Sequence, residues 1–105
     1  MPDPATFRTL ALSCEGTTEA LHFDRRAFRR RVIFATLAPD GASANLRLAP
    51  DQQAHWCSLL PHALRPVPNN WGARGWTTLD LTTLDAAEAA LLLRLAWQGA
   101  GGKSP

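Results

Sequence analysis

Apolar residues near the start of the chain recur at helical spacing: Phe7, Leu10, Ala11 and Cys14 stand at i, i+3, i+4 and i+7 and share one helix face. Asp3 before Pro4 is a start signal, a side-chain cap followed by proline at the first helical position, and Gly16 ends the segment. The period then changes. Glu19–Asp24 is short, with alternating or aromatic residues, and reads as strand. Ala27–Ala38 also reads as strand with a reversal near Arg30-Arg31, and Val32–Leu37 is the most strand-like run of the chain. Asp40-Gly41 is a turn signal, and Ala44–Leu48 alternates inward and outward side chains, so a hairpin is predicted.

Pro50-Asp51 opens a second helix, with Ala54, Cys57, Ser58 and Leu60 as its inner side and Pro61 as its stop. The stretch 61–75 holds three prolines, two asparagines and two glycines and reads as an irregular connection. Trp76–Leu81 alternates as a strand. Asp85-x-x-Glu88 resembles a capping box that starts a last helix, with Leu91, Leu92, Leu95 and Ala96 on its apolar face and Gly99 as its C′ residue. The order, roughly α-β-β-β-α-β-α, predicts an α+β fold and not a doubly wound one: a single domain with an antiparallel sheet packed by helices. The domain is expected over residues 1–100, followed by a disordered tail at 101–105, with no internal repeat and no linker.

A chain of 105 residues, 46% hydrophobic and 19% charged, has the composition of a globular domain. At this size about 65% of the unfolded chain's surface is removed from water, enough for one core. No run approaches the roughly 20 apolar residues that span a bilayer. Asp3 and two prolines stand where a signal peptide needs a basic end and an apolar run. Cys14 and Cys57 form no paired-ligand pattern, which points to a reducing cytoplasmic setting and not to a disulfide framework. The expectation is a cytoplasmic protein with no membrane partner, its oligomeric state open.

No signature of catalysis is present: GxSxG, HExxH, P-loop and GxGxxG are all missing, the carboxylates are scattered, and no serine has an indicated base. No catalytic residue, cofactor or enzyme activity is expected. His55, Cys57 and His62 are the one metal-like cluster, but i and i+2 do not share a helix face and Pro61 separates the histidines. No metal site is assigned.

Net charge is only +2, yet the basic residues cluster. Arg25, Arg26, Arg29, Arg30 and Arg31 are five of the 11 basic residues and fall within seven positions. On a strand the pleat divides them between two faces; at a reversal they gather around a hairpin tip, a basic wing for DNA phosphates. The alternative is a solvated face balanced by Glu15, Glu19 and Asp24. Trp71-Gly72-Ala73-Arg74-Gly75-Trp76 is the second feature. Two indoles flank an arginine between glycines, which suits either a concave site for a planar or anionic ligand or a loop anchored by buried tryptophans.

Ala27-Phe28-Arg29…Ile33–Leu37, followed by Asn45–Gln53 and then Arg65–Pro68…Trp71-Gly72…Gly75–Leu81, resembles the MmcQ/YjbR family from about Thr6 to Trp97. The resemblance implies a compact α+β fold of the YjbR/CyaY-like (frataxin-like) kind, described as a double wing, and the family's customary label of DNA-binding protein. It assigns no catalytic residue. Relatives usually place glycine in the turn where this chain has Arg30-Arg31, so its tip is more cationic than usual. The first expectation is a DNA-binding protein in which Arg25, Arg26, Arg29, Arg30, Arg31, Arg47 and Arg74 contact phosphate, without sequence-specific readout. A second is a small-molecule module of resistance type, with a planar or anionic ligand held by Asn70, Trp71, Arg74 and Trp76. A third is an interaction domain whose exposed strand pairs with a partner chain.

Overall fold

The computed structural model describes residues 3–101. In chain order the elements are α1 (Pro4–Ser13), β1 (Thr18–His22), β2 (Arg25–Arg29), β3 (Ile33–Leu37), β4 (Ser43–Arg47), α2 (Pro50–Leu59), β5 (Leu64–Pro66), α3 (Asn70–Ala73), β6 (Trp76–Asp80) and α4 (Ala86–Ala100). The strands form one six-stranded antiparallel sheet in the order β1-β2-β3-β4-β6-β5. The α+β expectation holds. Four strands, not three, precede α2, because the reversal expected near Arg30-Arg31 does split the Ala27–Ala38 run, into β2 and β3. The stretch 61–75, expected to be irregular, contains both β5 and α3.

Local signals set the helix starts. Asp3 Oδ1 accepts from Thr6 N at 2.7 Å and Pro4 opens α1. Asp85 and Glu88 close a reciprocal capping box on α4: Glu88 N donates to Asp85 Oδ1 at 2.7 Å and Asp85 N to Glu88 Oε1 at 3.0 Å. The start of α2 is only half capped, since Ala49 has no acceptor side chain and only Gln52 Oε1 accepts, from Ala49 N.

Pairing register divides the sheet into two faces. Phe28, Ala35, Leu46 and Thr77 form one cross-strand row, and Leu37, Ala44, Leu79 and Leu64 lie on the same side. All are buried beneath α1 and α4, with Phe7 of α1 meeting the Phe28 ring edge-on at 6.0 Å between centroids. On α4 the buried residues are Ala89, Leu92, Leu93, Ala96 and Ala100. This shifts the predicted stripe: Leu91 is exposed and Leu95 only half-buried. Neither is Gly99 the C′ residue; the helix runs on to Ala100 and is capped by Gly101 in a right-handed conformation. Helix α2 buries no residue fully. Gln53, Trp56, Cys57 and Leu60 are half-buried at i, i+3, i+4 and i+7, while Ala54 and Ser58, expected inside, face solvent. The bulk of Trp56, packed on the core edge, accounts for that rotation. Residues 102–105, where most of the predicted tail falls, lie outside the described residues.

Candidate nucleic-acid interface

The second face of the sheet is the one that α1 and α4 do not cover. Burial alternates along β4 and β6, with Ser43, Asn45, Arg47, Trp76, Thr78 and Asp80 on the accessible side. Register places Thr18, Ala20 and His22 of β1, Arg25, Ala27 and Arg29 of β2, Thr36 of β3 and Arg65 of β5 on this side too. Its central row runs Ala20, Ala27, Thr36, Asn45, Thr78, Arg65. Polar side chains tie that row together. Arg25 Nε donates to Thr36 Oγ1 at 3.0 Å, and Thr78 Oγ1 donates to Asn45 Oδ1 at 2.9 Å. Arg25 Nη2 is shut off from solvent with no partner, while the residue as a whole is only half-buried, so one edge of its guanidinium is turned into the sheet.

Four arginines from three strands therefore share one face: Arg25, Arg29, Arg47 and Arg65. Arg29, Arg47 and Arg65 are exposed. From β2 to β5 is four strand steps, about 20 Å. Asp80 is the one carboxylate whose strand position puts it on this side. Its carboxyl is held below the usual range by the Thr82 hydroxyl and backbone N–H, with a smaller contribution from Arg65, so it stays anionic.

The sequence cluster is dispersed by the pleat. Arg26 lies on the helix-covered side near Glu19, at 3.6 Å from a carboxylate that Arg8 also holds at 2.7 Å. Arg29 Nε turns back to the Arg31 carbonyl, and Arg31 is exposed in the loop. Arg30 is committed elsewhere. Its guanidinium stacks 4.0 Å from the Trp97 ring centroid and donates to the Trp97 carbonyl, supplying the cation that the last turn of α4 lacks. Arg65 was missed by sequence reasoning because the prolines around it conceal a strand, although Leu64-Arg65 already has an inward-outward pattern.

The tryptophan-glycine motif forms the turn of α3. Asn69 Oδ1 caps it by accepting from Trp71 N. A side chain at Gly72 would overlap the Val67 carbonyl, and one at Gly75 the Leu48 carbonyl; Gly75 also has φ +103°. Leu48 N donates to Gly75 O at 3.0 Å, and Gln53 Nε2 bridges the Gly72 and Trp76 carbonyls at 2.9 and 3.1 Å. The glycines thus serve close packing. Trp71, 55% exposed, carries Arg74 5.2 Å from its ring centroid, Asn70 is exposed beside it, and Trp76 is half-buried on the open sheet face next to Arg47. The loop is therefore not anchored by buried indoles. Of the four residues expected to share a pocket, only Arg74 lines the hollow beside the loop, which Arg47 also lines.

Among the described residues no three His, Cys, Asp or Glu side chains group so as to hold a metal ion; His55 and His62 are exposed. Burial pushes the Cys14 and Cys57 thiols up from their ordinary value. No helix of the described residues is long and apolar enough to cross a membrane.

No curated protein matches the chain significantly. Among solved structures it is similar to Deinococcus radiodurans protein DR2400, a DUF419-domain protein, with 18% identity and a TM-score of 0.76 over 92% of this chain and 77% of that one. That likeness is one of fold. The YjbR family model matches residues 12–99, from the end of α1 to the last turn of α4, and the chain belongs to the YjbR family.

Proposed function

We propose that this protein binds nucleic acid through the phosphate backbone, on the open face of its sheet, and does so by binding alone with no catalytic step. One observation carries the reading: Arg25, Arg29, Arg47 and Arg65 come from three strands onto a face that α1 and α4 do not cover, where Asp80 is the one strand carboxylate among the described residues. A span of about 20 Å matches the rise of about six base pairs, along which each strand carries about six phosphates, enough for four contacts. Trp76, half-buried beside Arg47, adds an indole edge. Neither groove readout nor a recognition helix is part of the proposal: the side chains between the arginines are short, Thr36, Asn45 and Thr78, and α4 is buried along its apolar face. A reducing cytoplasmic location accords with two free, half-buried thiols.

Fluorescence anisotropy with labelled 20-residue duplex and single-stranded DNA tests the reading. Four neutralised phosphates give a slope of log K on log salt near −3.6 for duplex, so raising salt from 50 to 200 mM weakens binding about 150-fold. The double variant Arg29→Gln/Arg65→Gln should bring the slope near −1.8. Absence of binding at micromolar protein in 50 mM salt removes the proposal. So does an affinity that is the same at both salts.

A further inference from the structure

Beside the open sheet face, the end of β4, the start of α2, the Arg74 turn and the last turns of α4 enclose an open hollow of about 410 Å³. We infer that this hollow is a binding site for a small organic anion, a phosphate or carboxylate on a compact apolar body.

Three features of its lining carry the inference. Arg47 and Arg74 both line it, and no aspartate or glutamate does. Among the described residues neither arginine, like Arg31, Arg65 and Arg94, has an ion pair or a side-chain hydrogen bond, whereas Arg8, Arg25, Arg26, Arg29 and Arg30 each have a polar partner. The rest of the wall is apolar or neutral: Leu48, Ala49, Pro50 and Leu95, with Gln52 and Gln98 as uncharged polar groups and Gly99 adding no side chain. Cationic groups over an apolar floor fit an amphiphilic anion better than a free inorganic ion, and the volume suits a small ligand. The backbone around the hollow is fixed in advance. Gly75 sits against the Leu48 carbonyl and Leu48 N bonds Gly75 O, so Arg74 is presented at the end of β4 by main-chain packing that a ligand need not assemble. Trp71, stacked on Arg74, limits the directions that the guanidinium can take.

The hollow shares Arg47 with the sheet-face proposal, but Arg74 and the α4 residues of its lining are not part of that patch, so the two can be tested apart. Amide chemical-shift mapping of the full chain with phenyl phosphate, inorganic phosphate and benzyl alcohol tests it. Phenyl phosphate should bind in the millimolar range or tighter, shifting amides near Leu48, Gln52, Gln98 and Gly99, with inorganic phosphate weaker and benzyl alcohol without effect. Arg74→Gln and Arg47→Gln should each weaken phenyl phosphate about tenfold, while Arg31→Gln, an equal loss of charge in the β2–β3 loop, should not. No shifts around the hollow at 10 mM phenyl phosphate, or equal weakening by Arg31→Gln, overturns the inference. Binding that survives both Arg74→Gln and Arg47→Gln overturns it as well. If phenyl phosphate binds here while DNA does not bind, the hollow stands and the sheet-face proposal falls; the reverse pattern separates them the other way.

Discussion

Replacing Gly75 by alanine should be among the most damaging single-methyl changes in this chain. Two costs add. At φ +103° an L side chain sits in a region that costs about 1–3 kcal/mol. The new Cβ would also overlap the Leu48 carbonyl oxygen, a backbone atom that cannot rotate away. Relief requires the turn to lift from β4, which breaks the Leu48 N to Gly75 O bond at 3.0 Å, worth about 1 kcal/mol net. The sum is roughly 2–4 kcal/mol, or about 10–25 °C in Tm for a domain of this length. Gly16→Ala is the control. Its φ of +75° is also positive, but nothing lies within 4 Å of the added methyl, so it should cost only about 1 kcal/mol. Urea unfolding followed by far-ultraviolet circular dichroism gives both values on one scale. If Gly75→Ala is no less stable than Gly16→Ala, the close approach of the turn to β4 is not what selects glycine here. The account of how Arg74 is positioned would then fail with it.

Further outcomes follow from the same contacts. Arg30→Ala should lower stability by about 1–2 kcal/mol, through loss of the Trp97 stack and of the cation at the end of α4, yet leave the salt slope of DNA binding unchanged; a smaller slope with full stability would reverse that assignment. Asp3 and Asp80 have carboxyl groups held below their ordinary range by Thr6 and Thr82, so their contribution is complete above the unfolded-state value and is lost as pH falls through the folded one. Urea midpoints should accordingly fall below about pH 4, and Asp3→Asn/Asp80→Asn should flatten part of that decline; an unaltered acid limb would contradict it. Burial raises both thiols, so at pH 8 Cys14 and Cys57 should react with a disulfide reagent more slowly than free cysteine until urea unfolds the chain; fast labelling of the folded protein would count against their packing.

Where the sequence was legible, a local rule coincided with the tertiary one. Asp3-Pro4 and Asp85-x-x-Glu88 start helices by bonds made within four residues, so nothing distant had to be known. Strand alternation in Ala44–Leu48 and Trp76–Leu81 works for the same reason: one face is covered and the other is not. Failures occur where another part of the chain decides. Phe23 turns the β1–β2 hairpin at φ 59°, a conformation that glycine or asparagine would signal and phenylalanine conceals. Strand β5 is three residues long and exists through its pairing with β6; Pro66 at its end and Pro61 and Pro68 near it read as loop. The orientation of α2 depends on Trp56 finding the core edge, which no helical periodicity within residues 50–59 records.

The arginines show most clearly why adjacency in sequence misleads about a charged site. A run such as Arg25 to Arg31 suggests a single cationic cluster, but a strand sends neighbours to opposite faces and a loop lends its residues to whatever lies nearby. Arg26 goes to Glu19 and Arg30 to the end of α4, so two of the five are employed in holding the fold. The sheet then assembles a different set. Arg47 and Arg65 are 18 positions apart in the chain, yet they lie two strands apart, about 10 Å, on the same face as Arg29. Cross-strand register, not spacing along the chain, makes this patch. The same reasoning gives its sharpest test: Arg26→Gln and Arg65→Gln remove equal charge, but only Arg65→Gln should reduce the salt slope of DNA binding, by about 0.9. Equal reductions would mean that total charge governs binding and that the sheet face has no privileged role.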